Sequence, residues 1–149
     1  MGANLGELTG PGIPVIMGVE VIPAYVNLFA GANKVGGKAY AYIFDHVPAN
    51  WKKDGVLSTH GMELNYVFGQ LDYKSDWLWA ALFNGAKLSG AKSADPGFTD
   101  TDRQVSETMM KLWTNFARTG NPSVKGLVDW PAYQESTDQC LYITESLEV

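Results

Sequence analysis

Lys38-Ala39-Tyr40-Ala41-Tyr42-Ile43-Phe44-Asp45 sets Tyr40, Tyr42 and Phe44 at every second position and runs into His46-Val47-Pro48. Aromatic side chains at period two fit a pleated strand, and Pro48, which cannot donate to a ladder, ends it. Cys140-Leu141-Tyr142-Ile143-Thr144 reads as a second short strand. Between them lies the clearest helix. Val105, Met109, Leu112, Trp113 and Phe116 fall on one helical stripe, read as core and not as a cofactor box. Thr99, Asp100 or Thr101 can cap its start, where acidic residues suit the helix dipole. Gly120 closes it, with Pro122 just beyond. Strands near 38–46 and 140–144 separated by helices make this an α/β chain with a partly parallel sheet.

Working outward, Lys74 to Gly90 carries Trp77, Leu78, Ala81, Leu82 and Leu88 at helical spacing, and Pro23 opens a helix through Tyr25, Val26, Leu28 and Phe29. Polar loops are expected at Ala49 to Ser58 and around Pro96 and Gly97, and a glycine- and proline-rich loop fills the first dozen residues. A length of 149 residues, 46% of them hydrophobic, suits one domain, residues 1–149, with a real core. The net charge of −5 is scattered and no basic patch exists, so nucleic acid is not an expected partner. No apolar run is long enough for a membrane span, and the first residues do not read as a signal peptide. Cys140 is the single cysteine, which excludes an intrachain disulfide and a cysteine metal cage.

Of two histidines, His46 stands at the end of the first strand and reads as structural. His60 stands in Thr59-His60-Gly61-Met62-Glu63-Leu64-Asn65-Tyr66-Val67-Phe68-Gly69, where a turn would hold its imidazole clear of the backbone. Imidazole takes and returns a proton near neutral pH, the property of a general base. Glu63 follows at i+3. With no third or fourth ligand nearby, the pair is not read as a metal site; Glu63 reads instead as a hydrogen-bonding or helix-entrance carboxylate. Ser89 is not a nucleophile elbow, because lysine occupies position 87.

Four stretches together resemble the type-B carboxylesterase and cholinesterase family. Gly2-Ala3-Asn4-Leu5-Gly6-Glu7 is similar to its glycine-x-asparagine-x-x-glutamate segment. His60-Gly61-Met62-Glu63-Leu64 with Tyr66-Val67-Phe68-Gly69 resembles its histidine motif. Tyr40-x-Tyr42-x-Phe44-Asp45-His46 matches the preceding strand. Trp113-x-x-Phe116-Ala117-Arg118-Thr119-Gly120-Asn121-Pro122, followed by Trp130-Pro131-x-Tyr133, matches the closing helix and segment.

The resemblance implies the C-terminal part of an α/β-hydrolase fold and ester hydrolysis by a serine, histidine and glutamate triad. Carried over, Glu7 is the acid and His60 the base; no cofactor or metal is implied. The glycine-x-serine-x-glycine elbow is absent from these residues, so the nucleophile is expected upstream of Met1 and the isolated chain is expected to be inactive. The stretch from Glu7 to His60 is shorter than is usual in the family. A truncated sheet would bare an edge, to be covered by a missing N-terminal part or by self-association. The alternative is a non-catalytic, cholinesterase-like interaction domain, against which the retention of Glu7 and His60 speaks.

Overall fold

The computed structural model describes residues 31, 34–59, 61–72, 86–87 and 90–149. The helix expected from Pro23, most of that expected from Lys74, and the loop over the first dozen residues lie outside them. The chain divides into two compact units, one joining Met1–Ile43 to Thr114–Val149 and the other running Phe44–Trp113.

A three-stranded sheet in the order β1-β2-β3 is built from β1 (Tyr42–Phe44), β2 (Leu141–Ile143) and β3 (Leu147–Glu148). β2 and β3 are antiparallel, with Tyr142 opposite Glu148 and Ile143 opposite Leu147. Both expected strands exist, but each keeps only three residues in the ladder. The reason for β1 is visible in its carbonyls. Ala39 accepts from the backbone N–H of Tyr133 at 2.8 Å, and Ala41 accepts from Leu141 N–H at 2.9 Å and from the Trp130 indole at 3.1 Å. Alternate carbonyls are thus engaged as period-two backbone requires, but by a loop and a side chain as well as by a strand. Tyr40 and Tyr42, one period apart, both set their rings edge-on to Trp130, at 6.1 and 6.2 Å. Trp130, Tyr133, Cys140, Leu141 and Ile143 are the buried residues of this unit's closing segment. Burial, aided by the charge of Asp138, pushes the Cys140 thiol up to about 11, so it is an inert core group.

The other unit contains α1 (Ala49–Lys53), α2 (Leu64–Val67) and the greater part of α3 (Asp100–Thr119). The polar loop expected from Ala49 to Ser58 is therefore partly helical. Pro48, extended at φ −55° and ψ 151°, precedes the first turn of α1, and its carbonyl accepts from Lys52 N–H at 2.9 Å. Trp51 supplies the driving force: it is fully buried, with its indole donating to the Ser93 carbonyl at 2.9 Å. The loop around Pro96 and Gly97 is present as expected and receives α1 through Asn50 N–H to the Pro96 carbonyl at 2.9 Å.

On α3, Val105, Met109 and Leu112 are buried and Trp113 is half-buried. Phe116 departs from the expected stripe, being 45% exposed, with its ring edge-on to Tyr40 at 5.8 Å. The buried face instead begins earlier, at Asp102, and includes Ser106. Gly120, at φ +73°, ends the helix as expected, its N–H meeting the Phe116 carbonyl at 2.8 Å.

Candidate active-site turn and its buried clamp

The turn expected around position 60 is visible in its described members. Met62 N–H donates to the Thr59 carbonyl at 3.1 Å, and Gly61 adopts φ +83°, a left-handed conformation that glycine reaches without a Cβ penalty. Leu64 N–H then reaches the Gly61 carbonyl at 3.2 Å and the chain enters α2. His60 and Glu7 themselves lie outside the described residues. Glu63 is half-buried directly ahead of α2. Its carbonyl accepts from Tyr66 and Val67, while its carboxylate makes no capping bond.

Behind α2 lies a buried polar cluster that the sequence did not announce. Asp102, only 1% exposed, accepts four hydrogen bonds. Its Oδ1 takes His46 Nε2 and the Tyr66 hydroxyl, both at 2.8 Å. Its Oδ2 takes the Thr99 N–H at 2.7 Å and the Thr99 hydroxyl at 2.8 Å. Thr99-x-x-Asp102 is the spacing of a capping box, with the carboxylate reaching back to the first free N–H of α3. Burial by itself would push this carboxyl up. The bonds from His46, Thr99 and Tyr66 outweigh it and hold the group down to about 2. An ionised carboxylate only accepts, so His46 Nε2 is the donor in this bond. Burial first, and then the charge and the bond of Asp102, push the Tyr66 phenol far above its ordinary value.

Aromatic rings enclose the cluster: Tyr66 meets His46 edge-on at 5.3 Å, Phe44 at 5.2 Å and Phe98 at 6.3 Å. Ser106 donates to the Tyr66 carbonyl at 2.7 Å, and Ser58 to the Phe44 carbonyl at 2.8 Å. Both hydroxyl protons are thus committed to backbone, which is not the arrangement of an activated nucleophile. With two bonds on each oxygen, Asp102 is saturated as an acceptor.

His46 stands just beyond the end of β1, with the buried Asp102 carboxylate as its partner. Asp102, Tyr66, Thr99 and Ser106 were missed because their bonds span 36 to 56 residues or sit inside an ordinary cap. The available signal was the Thr99-x-x-Asp102 spacing, continued by Ser106 on the face that buries Val105 and Met109. Among the described residues, no group of three or more His, Cys, Asp or Glu is placed to hold a metal ion. No helix among them is long and apolar enough to cross a membrane.

Comparison with known proteins defines the class. The model of the carboxylesterase family matches residues 18–149, and the chain belongs to that family. It is 36% identical over 104 residues to carboxylesterase 5A of Canis lupus familiaris, covering 68% of this chain and 16% of that protein. It is 32% identical over 121 residues to the para-nitrobenzyl esterase of Bacillus subtilis strain 168, covering 81% of this chain and 21% of that one. Among solved structures, a thermophilic PNB esterase superposes with a TM-score of 0.52 at 30% identity, covering 74% of this chain and 19% of the other. The fold is that of these α/β-hydrolase esterases. The chain spans about a fifth or less of the length of the relatives it matches. The family match contains His60 and Glu63 and begins after Glu7.

Proposed function

We propose that this chain, residues 1–149, is the C-terminal part of a serine carboxylic ester hydrolase and contributes its general base, His60, and its triad acid, Glu7. The family match through the His60-Gly61-Met62-Glu63 motif carries the reading. Nucleophile and oxyanion donors come from residues outside this chain. In the completed site, His60 takes the serine proton as the oxygen attacks an ester carbonyl. The same imidazolium then returns the proton to the departing alcohol. Water, deprotonated by His60, releases the acid from the acyl-enzyme. Glu7 bonds the other imidazole nitrogen, fixing the tautomer and stabilising the imidazolium. Glu63, at the entrance to α2, hydrogen-bonds near the base without exchanging protons with substrate. Uncharged esters of modest size are the substrates, and no metal or cofactor takes part.

The test mixes this chain with a separately expressed N-terminal portion of a family esterase that carries the nucleophile serine, and follows hydrolysis of a chromogenic short-chain ester. Activity should appear only in the mixture and vanish with His60→Ala. Undiminished activity with His60→Ala would overturn the base assignment. Glu7→Gln tests the acid in the same way and should lower kcat by orders of magnitude.

A further inference from the structure

We infer that Asp102, Tyr66, His46 and Ser106 are positioning residues for His60, holding the described residues on either side of it, Thr59 and Gly61 to Met62, from a fixed frame. The inference rests on the assignment of His60 above.

The argument begins with where the tethers fall. Just before the turn, Ser58 is tied by its hydroxyl to the Phe44 carbonyl at the end of β1, at 2.8 Å. Just after it, Tyr66 is tied at both ends: its carbonyl accepts from Ser106 at 2.7 Å and its hydroxyl donates to Asp102 at 2.8 Å. Asp102 and Ser106 lie on α3, a helix of 20 residues, and Asp102 is locked to the N-terminus of that helix by Thr99. His46, placed just beyond β1, takes the remaining site on Oδ1. All of these groups belong to one compact unit, Phe44–Trp113. Between the tethers the chain turns on Gly61 and closes through its own backbone bonds.

Apolar side chains could fill the same volume without such a cluster. Buried ionic groups replaced by apolar ones of the same volume are often neutral or stabilising. A carboxylate with four donors supplies direction, which apolar packing does not. A catalytic group misplaced by about 1 Å can lose about a hundredfold in rate, so direction here has a use.

Amide hydrogen exchange, read residue by residue in the full 149-residue chain, tests this directly. Tyr66→Phe keeps the ring and removes the hydroxyl; Ser106→Ala removes the second tether. Each should speed exchange at Met62 and Leu64, whose N–H groups close the turn, by about tenfold, the effect of one net hydrogen bond. Val105 and Met109 should hold their wild-type rates. His46→Gln, which keeps an N–H donor at the Nε2 end, should preserve exchange at Met62, whereas His46→Leu should accelerate it. In the reconstituted esterase mixture, Tyr66→Phe should lower kcat and leave KM unchanged. Unchanged exchange at Met62 and Leu64 in both tether variants, or equal acceleration at Val105 and Met109, overturns the inference. Exchange is read without turnover, so its failure leaves His60 as base, and retained activity with His60→Ala leaves the exchange result standing.

Discussion

His46 Nε2 and Asp102 Oδ1 meet at 2.8 Å, joining the end of the first strand to the first turn of the long helix inside the protein. Asp102 is held at about 2 against an ordinary 3.8, so the folded state favours its ionised form. A depressed carboxylate pKa gives stability that is fully present above the unfolded value and is lost as pH falls through the folded one. The wild-type chain should therefore lose on the order of 2 kcal/mol between about pH 4 and about pH 2 from this group. Urea titrations across that window, compared with Asp102→Asn, check it. The variant should be less stable at neutral pH and flatter below pH 4; equal slopes would remove Asp102 from the acid response.

Asn65 presents the opposite case. It is 1% exposed, and among the described residues neither its amide nitrogen nor its amide oxygen has a hydrogen-bond partner. A buried polar group left unmatched costs about 1–3 kcal/mol. Asn65→Leu, which keeps the branch at Cγ and replaces both polar atoms by methyl groups, should raise the urea midpoint of this chain. A lower midpoint would show that the amide is satisfied in solution.

Gly97 adopts φ +74°, and a Cβ built there would lie 2.5 Å from Asn50 Cγ. The Asn50 side chain cannot retreat without giving up its bond to the Asp95 carbonyl. Gly97→Ala should destabilise by about 1–3 kcal/mol through strain and displacement. Thermal unfolding measures this, and a melting temperature within a degree of wild type contradicts it.

A fluorophosphonate probe should label no serine in the purified chain, because Ser58 and Ser106 commit their protons to backbone and no glycine-x-serine-x-glycine stretch is present. Mass spectrometry that finds an adduct on any serine would sink the reading that the nucleophile lies elsewhere.

Leu57 is 52% and Phe68 69% exposed, large apolar groups that water does not favour. If a partner segment or a second copy covers them, light scattering should report a mass above 16.3 kDa that rises with concentration. A monomer that persists at high concentration argues against self-association.

Local pattern determined much of this protein. Period-two aromatics mark β1, the Val105-Met109-Leu112 stripe and Gly120 mark α3, and the His60 motif marks a turn closed by Gly61. Each depends on neighbours within a turn or two, so each is written in adjacent residues. Tertiary structure decided the remainder. It shortened β1 by giving the carbonyls of Ala39 and Ala41 to Tyr133 and Trp130 as well as to Leu141. It coiled part of the Ala49 to Ser58 segment into α1 by burying Trp51, and left Phe116 half in solvent where the stripe implied core. Above all, it gathered His46 and Tyr66 onto Asp102. A carboxylate buried at 1% exposure must find its donors wherever the fold brings them, and 36 to 56 residues of intervening chain leave no local trace of the two side-chain donors on Oδ1.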